Sequence, residues 1–358
     1  MNGVGIFRDA RKTMTAYVSQ NRYDLIVMDL LLPFTKGGQA IDASGEVSRM
    51  MSANELNRRS YVIALSEHQN LVDEQKENFL LKGIILQQFD RDSETWKITL
   101  TSYIARVKAE IRLDFIIICA LEEEREAYFS TVADCGEKNI LQGLDCQNLQ
   151  SENFKGLCIL LPTMGLVEAA IVTTRAIEKF NPRLVAMSGV CGGYSKNSAL
   201  GQLLIANPTW EYQSGIWSEN NFNIEPYQAD LSESVRLRLK ATIDKVGLMD
   251  ELEKDISATR PCVRSSPRIV PFASGSAVVA STDRIGEIAD QHRKIAGIDM
   301  EMYGVYKSLK LSCRPDVPFF GVKTVVDFAD EKKEDDLHEY GAIISARFTV
   351  NAIIEILT

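Results

Sequence analysis

The sequence of 358 residues contains no uninterrupted run of 18 or more apolar residues, so no segment is expected to span a membrane. Its opening residues, MNGVGIFRDARK, lack the apolar core of a secretory signal. Histidine is scarce: His68, His292 and His338 are the full complement, and their spacing does not suit a metal. The seven cysteines (Cys119, Cys135, Cys146, Cys158, Cys191, Cys262 and Cys313) show no CxxC pattern, which argues against zinc and against a disulfide framework. Several sit in apolar runs such as "IIICAL" and "LCILL", so they are expected to be reduced core residues of a cytoplasmic protein. Positive charge is in deficit: 40 Lys and Arg stand against 49 Asp and Glu, a net charge of -9, which makes a nucleic-acid backbone a poor partner. There is no fixed-period repeat and no low-complexity tract.

What is present is ordinary globular composition, 45% hydrophobic and 25% charged, with a length that suggests two domains. Short β-branched runs alternate with helical patterns. "DLIVMDLLL", "YVIAL", "GIIL", "FIIICAL", "LCILLPT", "LVAMSG", "QLLIANPTW", "FASGSAVV", "AGIDM" and "FFGVKTVV" read as buried strands. "VEAAIVTTRAIEKF" and "ISARFTVNAIIEIL" read as amphipathic helices. The alternation predicts an α/β fold. "SETWKITLTSYIARVKAEIR" reads as a linker helix, and "LDFIIICALEEERE" as a fresh start. The expected domains are residues 1–110 and 111–358.

In the first of these, "RYDLIVMDLLLPFTKGG" is an apolar strand with Asp29 near its carboxyl end, where open α/β sheets collect ligands. The stretch resembles the phosphoacceptor strand of response-regulator receiver domains, and "YVIALSEH" resembles their next strand, with Ser66 at the switch hydroxyl. The resemblance covers roughly residues 3 to 108 and implies a flavodoxin-like parallel sheet. It departs from the pattern in two places. "GVGIF" stands where the second strand would be, so the first strand and its acidic pair are missing. Gln87 and Gln88 stand where a lysine is expected. Without those charges, phosphoryl transfer lacks its neutralising partners. Asp29 is therefore expected to be a relic phosphoacceptor, in a domain that receives a signal from an upstream protein.

Four segments of the second domain carry chemistry. "DFIIICALEEERE" runs from a strand into an acidic first helical turn with Glu122, Glu123 and Glu124, favourable for the helix dipole. "MSGVCGGYS" places Gly189, Gly192 and Gly193 after a strand, where backbone can approach a ligand. It is not GxGxxG opening a helix, so no dinucleotide is expected. "AGIDMEMYGVY" alternates Asp299 and Glu301 with apolar residues, which sets both acids on one face. "FFGVKTVVDFAD" ends a strongly apolar strand on Asp327, a carboxylate that needs a partner or a use.

Together these segments resemble the nucleoside phosphorylase superfamily, and within it the methylthioadenosine/S-adenosylhomocysteine nucleosidases, over about residues 114 to 358. "ICALEEE", "MGLVEAAIVTTRAI", "SGVCGGYSKNSALGQLLIANPTWEY", "SGSAVVAS", "IDMEMYGVY" and "VVDFAD" follow the family's order. The resemblance implies a phosphorylase/nucleosidase α/β domain with a mixed central sheet. It implies an enzyme, a purine nucleosidase, in which Asp327 protonates the leaving base and Glu124 activates water. Glu301 would grip the ribose hydroxyls, Met300 would pack beneath the sugar and Asp299 would support the strand. Val278 and Val279 stand where an aromatic often stacks on the base, with Phe328 or Tyr303 as substitutes. Val326 stands where a serine or asparagine usually orients the acid. Met187 replaces the arginine of the family's phosphorylases, which favours hydrolysis over phosphorolysis. The resemblance also implies a dimer or hexamer and no cofactor.

The stretch "TRPCVRSSPRIVPFASG" adds Arg260, Arg264 and Arg268 in one short segment. Guanidinium forks bind phosphate bidentately. With Lys196 they are read as a clamp for the 5′ phosphates of an adenine nucleotide, ATP being favoured. The resulting expectation is a nucleotide N-glycosidase controlled by its N-terminal domain, in the manner of an anti-phage effector. Salvage of methylthioadenosine and S-adenosylhomocysteine is the alternative, and an inactive nucleoside sensor is another.

Overall fold

The structure is a computed structural model. It describes residues 23–33, 39–42, 60–109, 113–219, 222–225, 227–312, 314–331 and 336–358, with Val18, Gly45, Arg49 and Asn57 as isolated positions. The chain divides into two compact units, Met1–Glu110 and Ile111–Thr358.

In the N-terminal unit, β1 (Leu25–Asp29), β2 (Leu31–Pro33), β3 (Ala40–Asp42), β4 (Tyr61–Ser66), α1 (Gln69–Leu80), β5 (Ile85–Gln88) and α2 (Thr95–Ala109) follow in order. β1, β4 and β5 form a three-stranded parallel sheet in that order, and β2 pairs antiparallel with β3. Ile26, Met28, Val62, Ala64 and Phe79 close a small core. This parallel sheet is as far as the described residues go toward a receiver arrangement. "GVGIF", residues 3–7, lies outside them.

The C-terminal unit holds β6 (Phe115–Cys119), α3 (Glu122–Glu126), β7 (Asp134–Leu141), β8 (Leu144–Ser151), β9 (Phe154–Leu160), α4 (Leu166–Phe180), β10 (Leu184–Gly193), β11 (Leu203–Glu211), β12 (Gly215–Trp217) and β13 (Phe222–Ile224). It continues with α5 (Glu233–Ile243), α6 (Leu248–Leu252), β14 (Arg268–Ser274), α7 (Thr282–Asp290), β15 (Gly297–Asp299), α8 (Met302–Leu311), β16 (Phe319–Asp327) and α9 (His338–Leu357). Nine strands make one mixed sheet in the order β15-β14-β11-β16-β10-β6-β9-β8-β7. A further pairing of β15 with β10 closes one end of it on itself. β6, β10 and β16 run parallel and bury nearly every residue, because helices cover both faces of such strands. α4 buries Leu166, Ala169, Val172, Thr173, Ala176, Ile177 and Phe180, a helical stripe, and stops at Asn181 in the left-handed region, φ 46°. α9 has the length and mean hydropathy, 1.3, of a membrane span, but it packs on β10 and β16 as a core helix.

The hairpin of β7 and β8 was not among the expected strands. Its residues, DCGEKNIL and LDCQNLQS, are too polar to read as a buried run. Gln142 and Gly143, at φ 53° and 74°, make its turn, as two-residue hairpin loops require. The cysteine expectation needs one correction. Cys119, Cys146, Cys158 and Cys191 are buried and Cys135 is partly so, but Cys262 is exposed in the segment after Pro261. Cys313 lies outside the described residues.

Candidate active site

A cavity of ≈ 250 Å³ opens beyond the carboxyl ends of β6, β10 and β16. Glu124, Gly192, Val278, Val279, Asp299, Met300, Glu301 and Asp327 all line it. The sequence scatters these residues over some two hundred positions, and the sheet order brings them together.

Glu124 is buried, unlike its neighbours Glu122 and Glu123. One carboxylate oxygen accepts hydrogen bonds from the Ala120 and Leu121 amides at 2.7 and 3.0 Å. The other accepts from the Val190 amide at 2.8 Å. Burial raises its pKa, against the pull of Lys323 and these amides. Glu122, by contrast, pairs with Arg125 and Lys138 at the surface.

Gly189 has a different role from the one expected. It does not line the cavity. A Cβ at this position would overlap the Glu124 carboxyl group, so the glycine makes room for the acid rather than for a ligand. Gly189→Ala should displace Glu124 and impair whatever activity the cavity has at least as much as loss of the carboxylate itself, with little change in secondary structure by circular dichroism. A fully active Gly189→Ala protein would contradict this packing.

Asp327 owes its aim to an irregularity in the ladder. Cys191 pairs with Val325, but Gly192 pairs with Asp327, so Val326 is an extra residue on β16. Such a bulge re-aims the side chain that follows it. Asp327 Oδ1 accepts a 2.7 Å hydrogen bond from the Ala329 amide, and Ala329 holds φ at 54°, unusual for a residue with a side chain. That amide provides a hydrogen bond to the acid although Val326 has none to offer.

At the end of β15, Asp299 Oδ1 accepts from Ser274 Oγ at 2.6 Å and Oδ2 from the Met302 amide at 2.9 Å, which ties it to the start of α8. Glu301 Oε1 accepts from the Gly165 amide at 3.2 Å. Its Oε2 lies 2.9 Å from Lys323 Nζ, and Lys323 also reaches Asp299 Oδ2 at 3.0 Å. Burial pushes the Glu301 pKa up, Lys323 pulls it down, and Asp299 pushes it up again, with a net rise. For Lys323, burial opposes the charge, but Asp299, Glu301 and Glu124 raise its pKa well above the ordinary lysine value. The lysine is a charged post between two buried carboxylates.

Sequence reasoning missed Lys323, although a signal was there. A lysine inside an otherwise apolar strand is almost never buried without acidic partners. It also missed His338, which lines the cavity from the first turn of α9.

Several expected residues are not in the lining. Phe328 and Tyr303 pack against the main core. The arginine clamp needs correction. Arg264 donates to Glu253 Oε2 through Nε at 2.9 Å and also pairs with Asp250. Arg260 donates to the carbonyls of Glu253 and Ile256 at 3.0 and 3.2 Å, and Arg268 to that of Asn197 at 2.8 Å. None of them lines the cavity, and Lys196 instead lies over the Tyr194 ring. They pin a loop instead, because Asp250 of α6, Glu253 and Ile256 just after it, and Asn197 in the turn after β10 supply acids and carbonyls beside it.

In the N-terminal unit, Asp29 is exposed and lines a separate pocket of ≈ 280 Å³ with Ser66, Glu67 and Phe89. Its Oδ1 accepts from the Leu31 amide at 3.0 Å. Gln87 and Gln88 end β5, where the resemblance would put a lysine. Asp29 should therefore stay unlabelled when a small phosphodonor and magnesium are added. Stable labelling seen by mass spectrometry would refute this.

Comparison with known proteins bears on the family of the C-terminal unit. Protein y4jS of Sinorhizobium fredii is 26% identical over 392 residues, covering 98% of this chain and 94% of its own. The ATP nucleosidase Cap17 of Escherichia coli is 25% identical over 215 residues, 55% of this chain but only 41% of that protein, so this chain spans less than half of it. The solved 5′-methylthioadenosine/S-adenosylhomocysteine nucleosidase of Helicobacter pylori shares the fold, with a TM-score of 0.56 at 20% identity over 69% of this chain and 100% of that one. Residues 114–357 match the phosphorylase superfamily as a family, and this chain belongs to it.

Proposed function

We propose that this protein is a purine nucleosidase that hydrolyses the N-glycosidic bond of an adenine nucleoside or nucleotide. The observation that carries this reading is the convergence of Glu124, Glu301 and Asp327 in one cavity. The bond between the anomeric carbon and the base breaks, and its electron pair leaves with the purine. Asp327 delivers a proton to N7 of the departing base. Glu124, made more basic by burial, takes a proton from the water that attacks the anomeric carbon. Glu301 accepts from the ribose hydroxyls, with Met300 beneath the sugar. Val278 and Val279 flank the base.

Water is favoured over phosphate as nucleophile. Met187 is fully buried in β10, at the place where the resemblance implies an arginine in a phosphorylase, and Glu124 would repel an anion. Free sugar should therefore form in phosphate-free buffer, as read by chromatography of products from a nucleoside and nucleotide panel. Turnover that requires phosphate and yields ribose 1-phosphate would sink this assignment. The reading extends to control of the site by the N-terminal unit, as in a signal-triggered effector. Its support is that a relative matches along 98% of this chain, so it extends over both units.

A further inference from the structure

We propose that Lys323 is a positioning residue of the active site: it fixes the Glu301 carboxylate by direct contact and furnishes the positive charge that Glu124 needs to work as a base. This rests on the nucleosidase reading above and deepens it. Lys323 stands in the middle of β16, a strand in which every residue is buried, and its side chain is 2% exposed. A buried ion pair is often no more stabilising than apolar residues of the same volume. Apolar partners around position 323 would serve the sheet as well, so the lysine calls for another account.

Its contacts supply one. Asp299 is anchored without it, by Ser274 Oγ at 2.6 Å and the Met302 amide at 2.9 Å. Glu301 depends on it more. As the N-cap of α8 it makes no capping bond with its side chain, and its carboxylate is held from outside that helix. Lys323 Nζ donates to Oε2 at 2.9 Å and the Gly165 amide to Oε1 at 3.2 Å. The lysine contact is the shorter and has charge on both partners, so it does most to fix where Glu301 points. Among the described residues that line the cavity, Lys323 is also the one lysine or arginine.

Lys323 acts on Glu124 through its charge. Burial raises the Glu124 pKa, and the strongest influence against that rise is Lys323, ahead of the Val190, Leu121 and Ala120 amides. The other titratable groups around the pair are Asp299 and Glu301 from the β15–α8 corner, Asp327 from β16, and the thiols of Cys119 and Cys191, which burial keeps neutral. His338 lines the cavity from α9, with Nδ1 3.8 Å from Glu123 Oε2. The acids of this group disfavour a further negative charge, whereas Lys323 favours it. A carboxyl group can take a proton from water only when it is ionised. The lysine thus serves both acids at once, one by contact and one by charge.

The pH profile of adenine release separates this role from a structural one. In Lys323→Met protein the acid limb of kcat/KM should move up by roughly one pH unit, because Glu124 then keeps its proton to higher pH. Lys323→Arg, which keeps the charge, should return the limb to its wild-type position even if its broader fork lowers the rate. Lost packing alone would scale the whole profile down and leave the limb in place. Adenosine and ATP are the substrates, with near-ultraviolet circular dichroism as the folding control at every pH. Lys323→Gln, uncharged but still a donor, replaces the methionine protein if that protein does not fold. The inference is overturned if the limb of the uncharged variant coincides with that of the wild type, or if the arginine variant is displaced as far as the uncharged one. Either result leaves the nucleosidase reading standing, whereas a wild type that releases adenine from neither substrate would sink both.

Discussion

Asp327→Asn protein is expected to fold like the wild type and to release purine some 10²–10⁴-fold more slowly. The asparagine carbonyl can still accept from the Ala329 amide, so the bulge and the left-handed turn beyond it should persist. What is lost is the proton. An amide cannot deliver one to N7, and the base would have to leave as an anion. The loss should fall mainly on kcat, because the amide still donates a hydrogen bond to a bound base. Adenine release followed by chromatography, with near-ultraviolet circular dichroism as the folding control, decides the matter. A folded variant with a near-wild-type rate would remove Asp327 from the role of acid.

Lys323→Met should cost about 3–5 kcal/mol of stability, because it leaves two buried carboxylates without their counter-charge. The effect should depend on pH in a definite direction. The pKa of Glu301 is raised in the folded protein. A raised carboxylate contributes favourably below its unfolded value, near 4.3, and that contribution is lost as pH climbs through the folded value. Removing Lys323 takes away the charge that pulls this pKa down, so the folded value rises further. The variant should then be nearly as stable as the wild type in mild acid and much less stable in mild base. Urea unfolding across that range measures it. A penalty equal at every pH would mean that the carboxylates are not what Lys323 holds.

Much of this site was legible because its chemistry is local. Asp299, Glu301 and Asp327 each stand out as acids at the end of, or inside, an apolar run; Glu124 is set apart from Glu122 and Glu123 only by the resemblance, and the order of the motifs marks the superfamily. The arginine stretch shows the limit of that method. Three guanidinium groups in one segment suit a phosphate clamp by composition, but a partner is chosen by distance. The acids that claim Arg264 come from Asp250 and Glu253 on α6 and its C-terminal cap, elements that sequence spacing does not relate to it.

The chain's linear pattern by itself determines that strands and helices alternate, that β6, β10 and β16 must be buried on both faces, and that acids stand at the ends of such strands. Apolar periodicity and the cost of burying charge are properties of a segment and its immediate neighbours. Tertiary structure alone decided that Gly189 exists to admit Glu124, that an extra Val326 aims Asp327, and that Lys323 stands between Asp299 and Glu301. Those facts depend on which strands lie side by side and in what register, and register comes from the packing of the whole sheet.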